Sequence, residues 1–134
     1  MSLIQTPVSY GELIDKMTIL QIKLQEIKDE AKLANVRNEL ELLDATWKND
    51  KASDTYIAEE TARLLAVNQR LWKIEDDIRM KERAQAFDQE FIQLARSVYI
   101  ENDERAAIKR EINMKLGSTL VEEKSYQDYR APQS

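Results

Sequence analysis

Apolar residues recur three and four positions apart along most of this chain. Tyr10, Leu13, Met17, Leu20, Leu24 and Ile27 form the first such stripe, the spacing that places side chains on one face of an α-helix. Ser9-Tyr10-Gly11-Glu12 stands at its head as a capping box. The Ser9 hydroxyl can accept from the Glu12 N–H, and the Glu12 carboxylate can return to the N–H of Ser9. Val8 and Leu13 occupy the staple positions, and Pro7 keeps the helix from extending backward. At about 100° per residue, Ile19 and Ile22 fall opposite the stripe. A helix apolar on two sides is predicted to be central in a bundle; the alternative is a face open to self-association or a protein partner.

The second stripe, Leu33, Val36, Leu40, Leu43 and Trp47, does not continue the phase of the first. A turn at Asp29-Glu30 and an αα-hairpin follow, with one long slipped helix as the alternative because no Gly or Pro enforces a break. Residues 48–54 read as a polar loop in which Ser53 or Asp54 caps a third helix. That helix carries Ile57, Leu64, Val67, Leu71, Ile74 and Ile78 and ends within residues 80–87. Phe87 and Asp88 read as staple and cap of a fourth helix, with Ile92 as the staple partner and Phe91, Leu94, Ala95, Val98 and Tyr99 buried. Asn102 or Asp103 is predicted to cap a fifth, carrying Ile108, Ile112 and Leu116 and closed by Gly117. There is no strand pattern and no repeat. The prediction is all-α: a compact antiparallel bundle of four to five helices in a single domain, 1–134.

Composition narrows the chemistry. The chain has no His, no Cys and only two Gly, which excludes His- or Cys-based nucleophiles, His/Cys metal sites and glycine-rich phosphate loops. No disulfide can form. No apolar run approaches the roughly 20 residues that span a bilayer, so no membrane role is expected and the chain reads as cytoplasmic. A net charge of −5 disfavours general nucleic-acid binding.

Three groups of residues remain as candidate sites. On a wheel with Leu64 at zero, Glu75 projects at about 20°, Asn68 at about 40°, Arg79 at about 60° and Trp72 at about 80°. Asn68, Trp72, Glu75 and Arg79 are therefore predicted to face or border the core, as a structural ion pair with a register-setting amide or as a polar ligand pocket. The Glu-x-x-Asp steps Glu12/Asp15 and Glu41/Asp44 put two carboxylates on each of two helix faces. That arrangement can hold Mg²⁺ if the faces meet, and otherwise is a solvated acidic surface. It resembles the acidic motif pair of the all-α nucleotide pyrophosphohydrolases. The first motif ends here in Asp instead of Glu, and the further acidic partner and lysine are not evident. The third group, Arg105, Lys109, Arg110 and Asn113, could hold a phosphate or other anion, or form a salt-bridge lattice with Glu101, Asp103, Glu104 and Glu111.

Several stretches resemble an uncharacterised family of small bacterial proteins, a domain of unknown function. They are Pro7 to Leu20 (PVSYGELIDKMTIL), Lys32 to Arg37 (KLANVR), Leu71 to Arg79 (LWKIEDDIR), Leu94 to Tyr99 (LARSVY) and Asn102 to Tyr126, which opens NDERAAIKREIN and ends LVEEKSY. The resemblance spans most of residues 7–126 and transfers no activity and no catalytic residue. It implies that Glu122 to Tyr126 belong to the domain, as a C-terminal segment docked at 118–126, so that 7–126 forms the ordered core and 127–134 a flexible tail. The expected function is a non-enzymatic interaction or ligand-binding module without a cofactor. The alternatives are a Mg²⁺-dependent pyrophosphohydrolase-like enzyme and an anion-binding module.

Overall fold

A computed structural model describes residues 2–130, and residues 131–134, the end of the tail expected to be flexible, lie outside the described residues. The described chain folds into four α-helices and one 3₁₀ turn: α1 (Tyr10–Glu26), α2 (Glu30–Lys48), the turn at Lys51–Asp54, α3 (Ala58–Arg83) and α4 (Gln89–Leu116). None of these helices is long and apolar enough to cross a membrane.

Local signals set most boundaries. Ser9 Oγ accepts from the Glu12 N–H at 3.0 Å, the first half of the capping box. The return half is missing, because the Glu12 carboxylate is drawn to Lys109. Asp29 caps α2 by accepting from the Lys32 N–H at 3.0 Å, so residues 10–48 form two helices and not one. Asp88 caps α4 through the Phe91 N–H at 3.0 Å. Phe87 packs edge-on against Phe91, with centroids 5.2 Å apart, while the expected staple partner Ile92 remains 48% exposed. Gly117 ends α4 at φ +66°, a backbone conformation costly for other residues.

Two expectations fail. Ser53 and Asp54 do not cap α3; they lie in the 3₁₀ turn, where the Ser53 hydroxyl donates to the Asp50 carbonyl at 2.7 Å. Instead α3 starts after Ile57, with no side-chain cap, and the Ile57 side chain is committed to the core. Nor is there a fifth helix among the described residues, since α4 runs unbroken through Asn102-Asp103. A cap residue acts only where the backbone turns extended. No Gly or Pro between Gln89 and Leu116 forces that turn, and Asp103 instead accepts from Lys124 at 2.9 Å.

The first helix is the hub. It packs against α2, α3 and α4, while α3 and α4 pack on each other. Leu13, Ile14 and Met17 join Ile57, Leu64, Val67, Ile108 and Ile112 in the core, and Leu40, Leu43 and Trp47 close it from α2. Ile22 is buried and Ile19 half-buried. The side of α1 that could have remained open is thus largely covered by the chain itself. Along α3 and α4, ion pairs link Glu60 to Lys115, Arg63 to Glu111, and Arg70 to Glu101 and Glu104.

Candidate site on the seam between the first and last helices

Residues from all three candidate groups meet where α1 crosses α4. At the centre lies Asp15, with 0% of its surface exposed. Arg105 donates to it through Nε, 3.0 Å from Oδ1 and 3.1 Å from Oδ2, and through a second guanidinium nitrogen to Oδ2. From α3, Asn68 Nδ2 donates to Asp15 Oδ1 at 2.8 Å and to the Thr18 hydroxyl at 2.9 Å. The Thr18 hydroxyl in turn donates to the Asp15 backbone carbonyl at 2.7 Å. A buried carboxylate costs several kcal/mol unless it is paired and hydrogen-bonded. Here two guanidinium nitrogens of Arg105 and the Asn68 amide are directed at it. The hydrogen bond to Asp15 in turn raises the Arg105 guanidinium above its ordinary value, against the opposing effect of burial.

Toward the start of α1 the pattern repeats. Lys109 Nζ lies 2.5 Å from Glu12 Oε2 and 3.9 Å from Asp15 Oδ2. One residue earlier, the Gly11 N–H donates to Asn113 Oδ1 at 2.7 Å. Asn113 Nδ2 donates to Glu122 Oε2 at 2.9 Å, and Ser9 Oγ donates to Glu122 Oε1. Glycine is required at position 11 because a Cβ there would stand 2.5 Å from the Lys109 carbonyl oxygen and 3.0 Å from Asn113 Oδ1. The seam is therefore a ladder, 11 to 113, 12 to 109 and 15 to 105, closed by Glu122 of the C-terminal segment.

Burial alone would raise the Glu122 carboxyl, but the Ser9 hydroxyl, backbone and Asn113 hydrogen bonds and the nearby Lys109 charge together leave it below its ordinary 4.5. A carboxylate lowered in the folded state contributes stability above its unfolded pKa and loses it as pH falls through the folded one. Glu122→Gln should therefore be less stable than the parent at about pH 7, with the gap closing as pH falls below 4.5. Urea midpoints measured across that range check it. A gap that widens on acidification contradicts it.

Beyond Gly117 the segment to residue 130 has no helix or strand, yet it is tied along α4. Lys124 meets Asp103 at 2.9 Å, Arg110 meets Glu123 at 3.3 Å, and the Tyr129 and Tyr99 rings lie 5.1 Å apart. Between the segment and α4 lies a cleft of about 610 Å³, lined among others by Val98, Tyr99, Arg105, Lys109, Arg110, Glu122, Lys124 and Tyr126. That size suits a small organic ligand.

The predicted groups fare differently. Arg105, Lys109 and Arg110 line the cleft together, and Asn113 stands behind its inner end. Glu12 and Asp15 back them as counter-ions, whereas Glu41 and Asp44 lie on α2 beside Leu24 and Arg37, with Asp44 paired to Lys48 at 2.8 Å. The four carboxylates thus do not converge. Among the described residues no cluster of three or more His, Cys, Asp or Glu could hold a metal ion.

Asn68 faces inward as predicted, but Glu75 and Arg79 do not. They form an exposed pair 3.3 Å apart, and Trp72 is half-buried in a separate groove with Glu26. The reason is length. The first helix ends at Glu26 while α3 continues to Arg83, so the wheel position that is interior at Asn68 reaches water a few turns later. Glu75→Ala should shift the melting temperature by less than about 2 °C. A larger loss would place Glu75 in the fold's support after all.

Ser9 as a donor, Thr18, Gly11 as a contact point and Glu122 as the closing carboxylate escaped the pattern of spacing. For Glu122 the one signal was the family resemblance, which placed residues 122–126 in the domain. No curated protein and no solved structure matches this chain. A family model does match, over residues 4–134, and by that match the chain belongs to the family described as "Family of unknown function (DUF6165)".

Proposed function

We propose that this protein is a non-enzymatic, cytoplasmic ligand-binding module, built of helices that pair antiparallel at α1/α4 and α3/α4, with its site in the cleft between α4 and the segment 118–130. One observation carries the reading. Arg105 is fixed from behind by the buried Asp15 through Nε and one terminal nitrogen, and it lines the cleft. Among the described residues its other terminal nitrogen reaches only Asn102 Oδ1, at 3.5 Å, the outer limit of a hydrogen bond. A guanidinium held on one edge and free on the other is a pre-organised hook for a ligand oxygen. Catalysis has less support. Of the acids on and behind the cleft wall, Asp103, Glu12 and Asp15 are each bound to a cation and Glu122 is held by Ser9 and Asn113, which suits holding groups still better than moving protons.

The test is amide NMR of the full chain with a mixture of small aromatic carboxylates, amines and phosphates. Shifts should concentrate on residues 98–110 and 122–129. Shifts concentrated on the Trp72 groove, or none at all, would remove the reading.

A further inference from the structure

The hydrogen-bonding capacity of the cleft wall names a ligand class, and this step rests on the cleft being the binding site. Four cations line the cleft, Arg105, Lys109, Arg110 and Lys124, against two acids, Asp103 and Glu122. Three more acids hold these cations from outside the wall: Asp15 on Arg105, Glu12 on Lys109 and Glu123 on Arg110. Formal charge is therefore almost balanced and selects no ligand. Donors and acceptors are not balanced.

The acceptors are largely spent. Glu122 takes Ser9 on one oxygen and Asn113 on the other, and Asp103 takes Lys124 at 2.9 Å. The donors are not spent. An arginine offers five N–H groups and a lysine three. Among the described residues, Arg110 is hydrogen-bonded through one terminal nitrogen alone, to Glu123 at 3.3 Å, and Lys124 to Asp103 alone. Arg105 keeps its second terminal nitrogen for the cleft, with Asn102 at the limit of reach. The Arg110–Glu123 pair is also open to water, its side chains 53% and 76% exposed, so a ligand can replace Glu123 at little cost.

Unspent N–H groups on three side chains, from both walls of the cleft, call for a ligand with several acceptor oxygens. A carboxylate is satisfied by one guanidinium edge. A phosphate monoester, with three terminal oxygens and nearly two negative charges at about pH 8, can use all three side chains. Val98, Ala106 and the Tyr99 ring supply apolar wall beside them. At the mouth, Tyr126 is 86% exposed, with Lys124 Nζ 5.7 Å from its ring centroid, so most of that ring is free to pack on a second one.

We propose that the cleft takes a small phosphate monoester with a planar aromatic body. Its phosphate lies between Arg105, Arg110 and Lys124, where it displaces Glu123, and its ring lies against Val98, Tyr99 and Tyr126.

The experiment is calorimetric titration of the full chain, at about pH 8, with phenyl phosphate, inorganic phosphate, benzoate and phenethylamine. Phenyl phosphate should bind at least about tenfold more tightly than each of the other three, which lack the ring, the third oxygen or the negative charge. Arg110→Gln should weaken phenyl phosphate several-fold. Glu123→Gln, which removes the internal competitor and spares the cation, should tighten it. Both positions are exposed, and both variants should keep the melting temperature near its starting value. Benzoate or phenethylamine binding as tightly overturns the phosphate, and inorganic phosphate binding as tightly overturns the aromatic body, while either leaves the cleft as a ligand site. Phenyl phosphate binding that Arg110→Gln does not weaken, or that Glu123→Gln does not tighten, also overturns the proposal. Absence of binding by all four overturns it too, and the NMR experiment then decides separately whether the cleft binds anything.

Discussion

Asp15→Ala should lower the unfolding free energy by about 3 kcal/mol, near the lower end for breaking a buried ion pair by removing one partner. The carboxylate is fully enclosed, and its loss strands two groups at once. Arg105 keeps its charge in a half-buried position, 29% exposed, with no counter-ion nearer than Glu12. The Asn68 amide loses one of its two acceptors. The lower end applies because Arg105 can swing part of its guanidinium into the cleft and recover water. Urea denaturation of the purified variant measures the loss. Adding Mg²⁺ should leave the parent protein's midpoint unchanged, because the Asp15 oxygens are already taken by Arg105 and Asn68. A Mg²⁺-dependent rise would return Glu12 and Asp15 to the role of metal ligands.

Gly11→Ala is the second large effect, and its sign is the informative part. In an exposed helix this substitution would stabilise by about 1 kcal/mol through backbone entropy. Here the added methyl would stand 2.5 Å from a backbone oxygen of α4, which cannot rotate away as a side chain could. The two helices must separate, which stretches the 2.7 Å bond from Gly11 N–H to Asn113 and loosens the anchor of Glu122 behind it. Overpacking of this kind costs about 1–3 kcal/mol, enough to outweigh the propensity gain. A net loss of about 1–2 kcal/mol in urea, with the Glu122-dependent acid sensitivity diminished in the same variant, is the expected outcome. A stabilised variant would mean that α1 and α4 lie farther apart than the ladder requires.

The helices were legible because apolar spacing and caps are local. Ser9, Asp29, Asp88 and Gly117 mark their boundaries from within a few residues. The errors arose where a local signal competed with continuity or with length. Asn102-Asp103 has the composition of a cap but sits in a stretch with nothing to break it. Glu75 has an interior angle on the wheel but lies past the end of the helix that would have covered it.

The site was legible in pieces and not as a whole. Asn68, Arg105, Lys109 and Asn113 stood out for their positions on helix faces, and Glu12 and Asp15 for their spacing. That spacing is the same whether the acids face a metal or a pair of cations at matching intervals on another helix. The partners of Asp15 and Gly11 on α4 lie 90 and 102 residues away, a separation that periodicity does not report.

The double-mutant cycle between positions 15 and 105 tests most directly whether Asp15 is the counter-ion that holds Arg105 at the cleft. Asp15→Ala and Arg105→Ala should each be strongly destabilising, and the double variant should be more stable than their sum implies by about 1.5–3 kcal/mol. Additivity within about 0.5 kcal/mol would show that the two side chains do not depend on each other, and the ladder along the seam would lose its most deeply buried rung.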